Sequence, residues 1–122
     1  MPEHVHLLLS EPDSGTLADA IHLLKLSSAK QAISEGHVDS GHYWQKRYYD
    51  RNIRSYSDFM EKLRYIHRNP VKRELCGRPA DWSWSSFRHY ATGEAGSVEV
   101  ESEWTARRRE VERAEVLQSG AR

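Results

Sequence analysis

At 122 residues the chain is one domain by length, and a mean hydropathy of −0.82 with 30% charged residues leaves a modest core that four Trp, six Tyr and two Phe must largely supply. A single cysteine, Cys76, excludes a disulfide framework, no run nears the ~20 apolar residues of a membrane span, and residues 1–10 lack the basic start of a secretory signal, so a cytoplasmic protein with no membrane partner is expected. The zero net charge hides an asymmetry: residues 44–90 hold eleven Lys or Arg against five acids, whereas residues 1–43 and 91–122 are both acidic.

In chain order, residues 4–9 read as a short strand that ends in the loop-forming run Ser10-Glu11-Pro12-Asp13-Ser14-Gly15. From Thr16 the apolar residues Leu17, Ile21, Leu24 and Ala32 recur near the helical period, and Gly36 is a helix stop. Trp44, Tyr48, Tyr49 and Ile53 favour a strand over residues 42–54. Ser55 and Asp58 have capping-box spacing, and Tyr56, Phe59, Leu63 and Ile66 then share one helical face. Pro70 predicts an end or kink near Arg68. A turn-rich link through Gly77 and Pro79 leads to an aromatic, basic segment at residues 81–90, in which most tryptophans are expected to be structural. Beyond the Gly93–Gly96 linker, residues 103–118 form either a charged helix or a partly disordered tail.

Three features bear on chemistry. His4 and His6 are two apart on the predicted strand, so both imidazoles point to one side and can share a cation; two unrelated surface histidines explain the same pattern. Tyr65 and Asn69 are four apart and stack on one helix face, with Tyr65 about 140° from the centre of the apolar stripe at 100° per residue. A second packing surface is the alternative use for that tyrosine. The third feature is the basic block, including Lys46, Arg47, Arg51, Arg54, Arg64, Arg68 and Lys72 interleaved with aromatics. Cations there suit phosphates and aromatic faces suit unpaired bases, or else the charges are simply solvated.

Four segments in order resemble a known family. Met1-Pro2-Glu3-His4-Val5-His6-Leu7-Leu8 resembles the metal-binding segment of the HUH single-strand DNA transferases, in the insertion-sequence and REP-associated tyrosine transposase branch. Trp44-Gln45-Lys46-Arg47-Tyr48-Tyr49-Asp50 with Ile53-Arg54 resembles its fourth strand. Tyr65-Ile66-His67-Arg68-Asn69-Pro70-Val71-Lys72 resembles the segment that holds the nucleophile, and Asp81-Trp82-Ser83-Trp84-Ser85-Ser86-Phe87 resembles the aromatic segment after it.

The resemblance implies an α+β, ferredoxin-like fold over residues 1–90, begun at the HUH strand without the strand-helix-strand that precedes it in the family, and followed by a C-terminal helical extension at 91–122. It implies Tyr65 as the nucleophile that forms a 5′-phosphotyrosine, and His4, His6 and Asn69 as ligands of Mg2+ or Mn2+. Lys46, Arg47, Arg51, Arg54, Arg64, Arg68 and Lys72 would contact DNA, and His67 would join them on phosphate. The expected partner is single-stranded hairpin DNA, nucleoid-associated when bound, with the protein a monomer or a homodimer. The expected activity is metal-dependent cleavage and rejoining in DNA transposition. The alternative is a non-catalytic, single-strand-binding fragment of a decayed transposase, and the third reading is an α+β remnant without function.

Overall fold

Thr16 opens the first helix with a reciprocal capping box: its hydroxyl accepts from the Asp19 N–H, and the Asp19 carboxylate accepts from the Thr16 N–H, both at 3.1 Å. The helix, α1, runs Leu17–Ser34 in a computed structural model that describes residues 1–39 and 43–121. It ends at Gly36, as the sequence suggests. The Gly36 N–H bonds Ile33 O and the His37 N–H bonds Ala32 O, with Gly36 at φ +74. This is the two-bond Schellman closure, which needs a left-handed residue. The Trp44 indole N–H then donates to Ser28 Oγ at 2.9 Å, and Lys25 Nζ donates to Gln45 O at 2.7 Å, holding the returning chain on α1.

The second helix, α2, spans Tyr56–Lys72 behind the N-cap Ser55, whose hydroxyl accepts from the Asp58 N–H. Asp58 returns its carboxylate to the Arg54 N–H, one residue before the cap, so only half of a capping box forms. Leu63, His67, Asn69 and Pro70 are buried and Ile66 is half-buried, which makes the inner face. Tyr56, expected on that face, is instead 78% exposed and stacks on Phe59.

The helix does not end near Arg68: α2 continues through Pro70 to Lys72. Proline removes one donor only, and it sits in the last turn. The end is closed by Glu74 N–H to Val71 O and Leu75 N–H to Pro70 O, again a Schellman pair, with Glu74 at φ +60. A short 3-10 turn at Pro79–Asp81 and helix α3 at Phe87–Thr92 follow, and helix α4 occupies Glu103–Gly120. Buried His89 links α3 to the start of α4. Its Nδ1–H donates to Glu94 O at 3.0 Å, which leaves Nε2 to accept from the Ser102 hydroxyl at 2.6 Å. Thr105, 1% exposed, donates to Val100 O, and the Trp104 indole donates to Tyr90 O.

The α+β, ferredoxin-like expectation is overturned: the described residues are helical, with no strand or sheet. Residues 4–9 and 43–53 are irregular; His42, at the head of the second expected strand, lies outside the described residues. The physical reason is that a strand exists only through a neighbour's ladder. No backbone–backbone hydrogen bond joins either segment to a neighbour among the described residues. The chain divides into two compact units, Met1–His6 with Arg54–Arg122, and Leu7–Ile53.

Candidate active site

Helix α2 carries three stripes, each built from residues three or four apart. Leu63, His67 and Pro70 belong to the buried face. Arg64, Arg68 and Lys72 form an exposed cationic row on the far side. Between them run Tyr65 and Asn69, and Arg73, the C-cap residue, stands one turn beyond Asn69.

The amino-terminal residues lie along this third stripe. The His6 ring meets the Tyr65 ring edge-on with centroids 5.5 Å apart. The His4 ring, beside that of His6 with centroids 4.7 Å apart, is met by the Arg73 side chain, with Nδ1 3.3 Å from Arg73 Nη1. The chain thus runs antiparallel to α2, with Asn69 midway between the two contacts in helix sequence. His4 and His6 face each other through their Nε2 atoms at 3.0 Å. One of the two must carry a proton in the absence of a cation, since two lone pairs would repel. Burial, then the His4 charge, then the amino terminus hold the His6 imidazole below its ordinary value, which favours a neutral ring with a lone pair to offer.

Tyr65 is 51% exposed, in keeping with its position off the apolar stripe. Asn69 is buried at 7% exposure, and its Oδ1 has no hydrogen-bond partner. A buried carbonyl oxygen without a partner costs roughly 1–3 kcal/mol, so this atom is poised to accept from a cation or a donor. Among the described residues no three His, Cys, Asp or Glu side chains converge, so any cation held here needs a ligand of another type.

The remaining expected site residues divide between the units. Arg54, Arg64, Arg68 and Lys72 are exposed in the unit that contains Tyr65, and Lys46, Arg47 and Arg51 are exposed in the Leu7–Ile53 unit. His67 does not fit the expected phosphate contact. It is buried, its Nε2 is 2.9 Å from Ser86 Oγ, and its ring packs edge-on against Phe87. Burial lowers its proton affinity, which further suits a neutral core residue. Trp84, expected among the structural aromatics, is 83% exposed. Sequence reasoning passed over Glu3 and Arg73; the i+8 spacing of Arg73 from Tyr65 was the available signal.

The description "Transposase IS200 like" belongs to the family that matches residues 1–69. A protein of Haemophilus influenzae with the provisional name REP-associated tyrosine transposase is 33% identical over 97 residues, covering 71% of this chain and 54% of its own. A REP-associated tyrosine transposase of Escherichia coli is 27% identical over 90 residues, covering 71% of this chain and 50% of its own. The chain therefore spans about half the length of the curated relatives it matches. No solved structure matches it. With more than half of its residues inside the family match, and both imidazoles and Tyr65 within that stretch, the chain belongs to the IS200-like transposase family.

Proposed function

We propose that this chain supplies the catalytic segment of a metal-dependent, single-stranded DNA endonuclease and strand transferase. Tyr65 is the nucleophile, His4, His6 and Asn69 are the protein ligands of Mg2+ or Mn2+, and the substrate is a single-stranded hairpin of the REP kind in the relatives' names. The observation that carries the reading is that His4 and His6 face each other through Nε2 while the His6 ring meets the Tyr65 ring edge-on.

The residues offer a divalent ion two imidazole nitrogens and one amide oxygen, a set that by ligand type favours manganese over magnesium. Two ligand atoms each ~2.1 Å from one ion and at right angles are about 3.0 Å apart, and the two Nε2 atoms stand at 3.0 Å. The partnerless Asn69 Oδ1 offers an oxygen on the same helix stripe. Bound there, the ion would polarise the scissile phosphate and offset charge that develops during displacement.

The chain's own groups do the rest. Half exposure leaves the Tyr65 hydroxyl open to a strand. Its oxygen attacks phosphorus in line, the bond to the 3′ oxygen breaks, and the phenol proton passes to solvent while the departing oxygen is protonated from solvent. The 5′ side remains on Tyr65 as a phosphotyrosine. Because that bond keeps the phosphoester energy, attack by a 3′-hydroxyl reverses the step without ATP. Arg64, Arg68 and Lys72 grip phosphates beside the tyrosine, and Trp84 offers an exposed indole face to an unpaired base.

The test is covalent capture on a denaturing gel with end-labelled REP-type hairpin DNA and Mn2+. The parent chain is expected to form a protein–DNA adduct that Tyr65→Phe abolishes, while equilibrium binding stays within about twofold because only one hydroxyl is lost. An adduct that persists in Tyr65→Phe removes this residue as nucleophile.

A further inference from the structure

Two side chains converge on the outer edge of the His4 ring. Glu3 Oε1 lies 3.2 Å from His4 Nδ1, and Arg73 Nη1 lies 3.3 Å from the same nitrogen. Arg73 and Glu3 are themselves an ion pair. This triangle is separate from the Tyr65–Asn69 end of the stripe, and it ties the amino-terminal segment to the C-cap of α2.

We propose that Glu3 and Arg73 are a positioning pair for the cation site: Arg73 pins the Glu3 carboxylate, and that carboxylate accepts the Nδ1–H of His4 so that His4 Nε2 presents its lone pair. The inference rests on the metal reading above and assigns two residues that reading does not use. Nδ1 carries a lone pair or a proton, so it can either accept from Arg73 or donate to Glu3. With both Nε2 lone pairs directed at one cation, the proton of each neutral ring sits on Nδ1. For His4 the acceptor at hand is Glu3, since a guanidinium has no lone pair to offer. A ligating histidine whose second nitrogen donates to a carboxylate is held in one tautomer and is a more basic ligand.

The pair also explains why an irregular, unladdered segment can hold two ligands. Residues 1–6 have no backbone pairing among the described residues, so their register on α2 depends on side chains. Glu3 to Arg73 at one end and His6 to Tyr65 at the other are two such fastenings. Arg73 is a residue that acts through Glu3 and not on substrate.

Mn2+ binding to the full chain, read by the loss of free-ion EPR signal without DNA, tests this. The parent is expected to bind. Glu3→Ala and Arg73→Gln should each weaken binding by about 10- to 100-fold, the usual cost of removing an outer partner of a ligand histidine. Arg73→Lys should recover most of it by keeping a cation against Glu3. Circular dichroism confirms that each variant keeps its helices. Nitrogen-15 NMR with Mg2+ supplies a readout that loose packing would not mimic: His4 should be the Nδ1–H form in the parent and lose that preference in Glu3→Ala. Parent-like affinity and an unchanged tautomer in folded Glu3→Ala overturn the pair while leaving the metal site standing. A parent chain that binds no Mn2+ overturns both.

Discussion

Gly93 shows how one residue can decide a local fold. It caps α3 at φ +77, and a Cβ placed on it would stand 2.8 Å from two ring atoms of Trp104. Left-handed backbone costs an L-residue roughly 1–2 kcal/mol, and forcing a methyl against packed atoms costs typically ~1–3 kcal/mol more. Displacing the Trp104 ring would disturb the hydrogen bond of its N–H to Tyr90 O. Gly93→Ala should therefore lower unfolding free energy by about 2–5 kcal/mol. Urea denaturation followed by tryptophan fluorescence measures it, and a midpoint equal to the parent's would show that Trp104 moves aside freely.

The site residues were legible at this scale to different degrees. Helical spacing alone puts Tyr65 off the apolar stripe, and the structure leaves it half exposed. The same spacing sets Asn69 beside it but says nothing of burial, which depends on what covers the helix. His67 was misread for the same reason: among so many cations an imidazole looks like a phosphate contact, and only packing reveals Ser86 and Phe87 around it.

Elements are governed here mostly by their ends. Helices α1 and α2 close with the same two-bond pattern, yet α1 uses Gly36 and α2 uses Glu74 in the left-handed position. A glycine adopts that conformation without the Cβ penalty, although it gives up more freedom on folding. Glu74→Gly should stabilise the chain by about 0.5–1 kcal/mol, the steric relief less the entropic loss. A lower thermal midpoint for this variant would mean that the Glu74 side chain contributes more than its backbone costs. The closure also accounts for the missed helix end. A proline in the last turn sacrifices a single bond, and Pro70 lends its own carbonyl to Leu75.

On the scale of the whole molecule, charge placement matters most. The middle block has an excess of six positive charges, and Arg54, Arg64, Arg68 and Lys72 are exposed in one unit while Lys46, Arg47 and Arg51 are exposed in the other. If about six phosphates are neutralised, log affinity for a single strand falls with log salt at a slope of about −4. Arg64→Ala, Arg68→Ala and Lys72→Ala combined should flatten that slope by about 2, at roughly 0.7 per contact. Fluorescence anisotropy with an unstructured oligonucleotide between about 50 and 200 mM salt reads both values. A slope unchanged in the triple variant would place the cationic row of α2 away from the strand.

Sequence by itself settled what is written in local spacing. Four short motifs in order identify the family, capping residues and Gly36 mark helix ends, and the 3.6-residue period turns Tyr65 out of the core. None of these needs a distant partner. Tertiary structure alone decided the strands, because β-structure is a property of backbone pairing, and residues 4–9 and 43–53 form no strand ladder among the described residues. It alone also brought Arg73 to Glu3 and His4 across some seventy positions of chain, since contacts between remote residues leave no period to read.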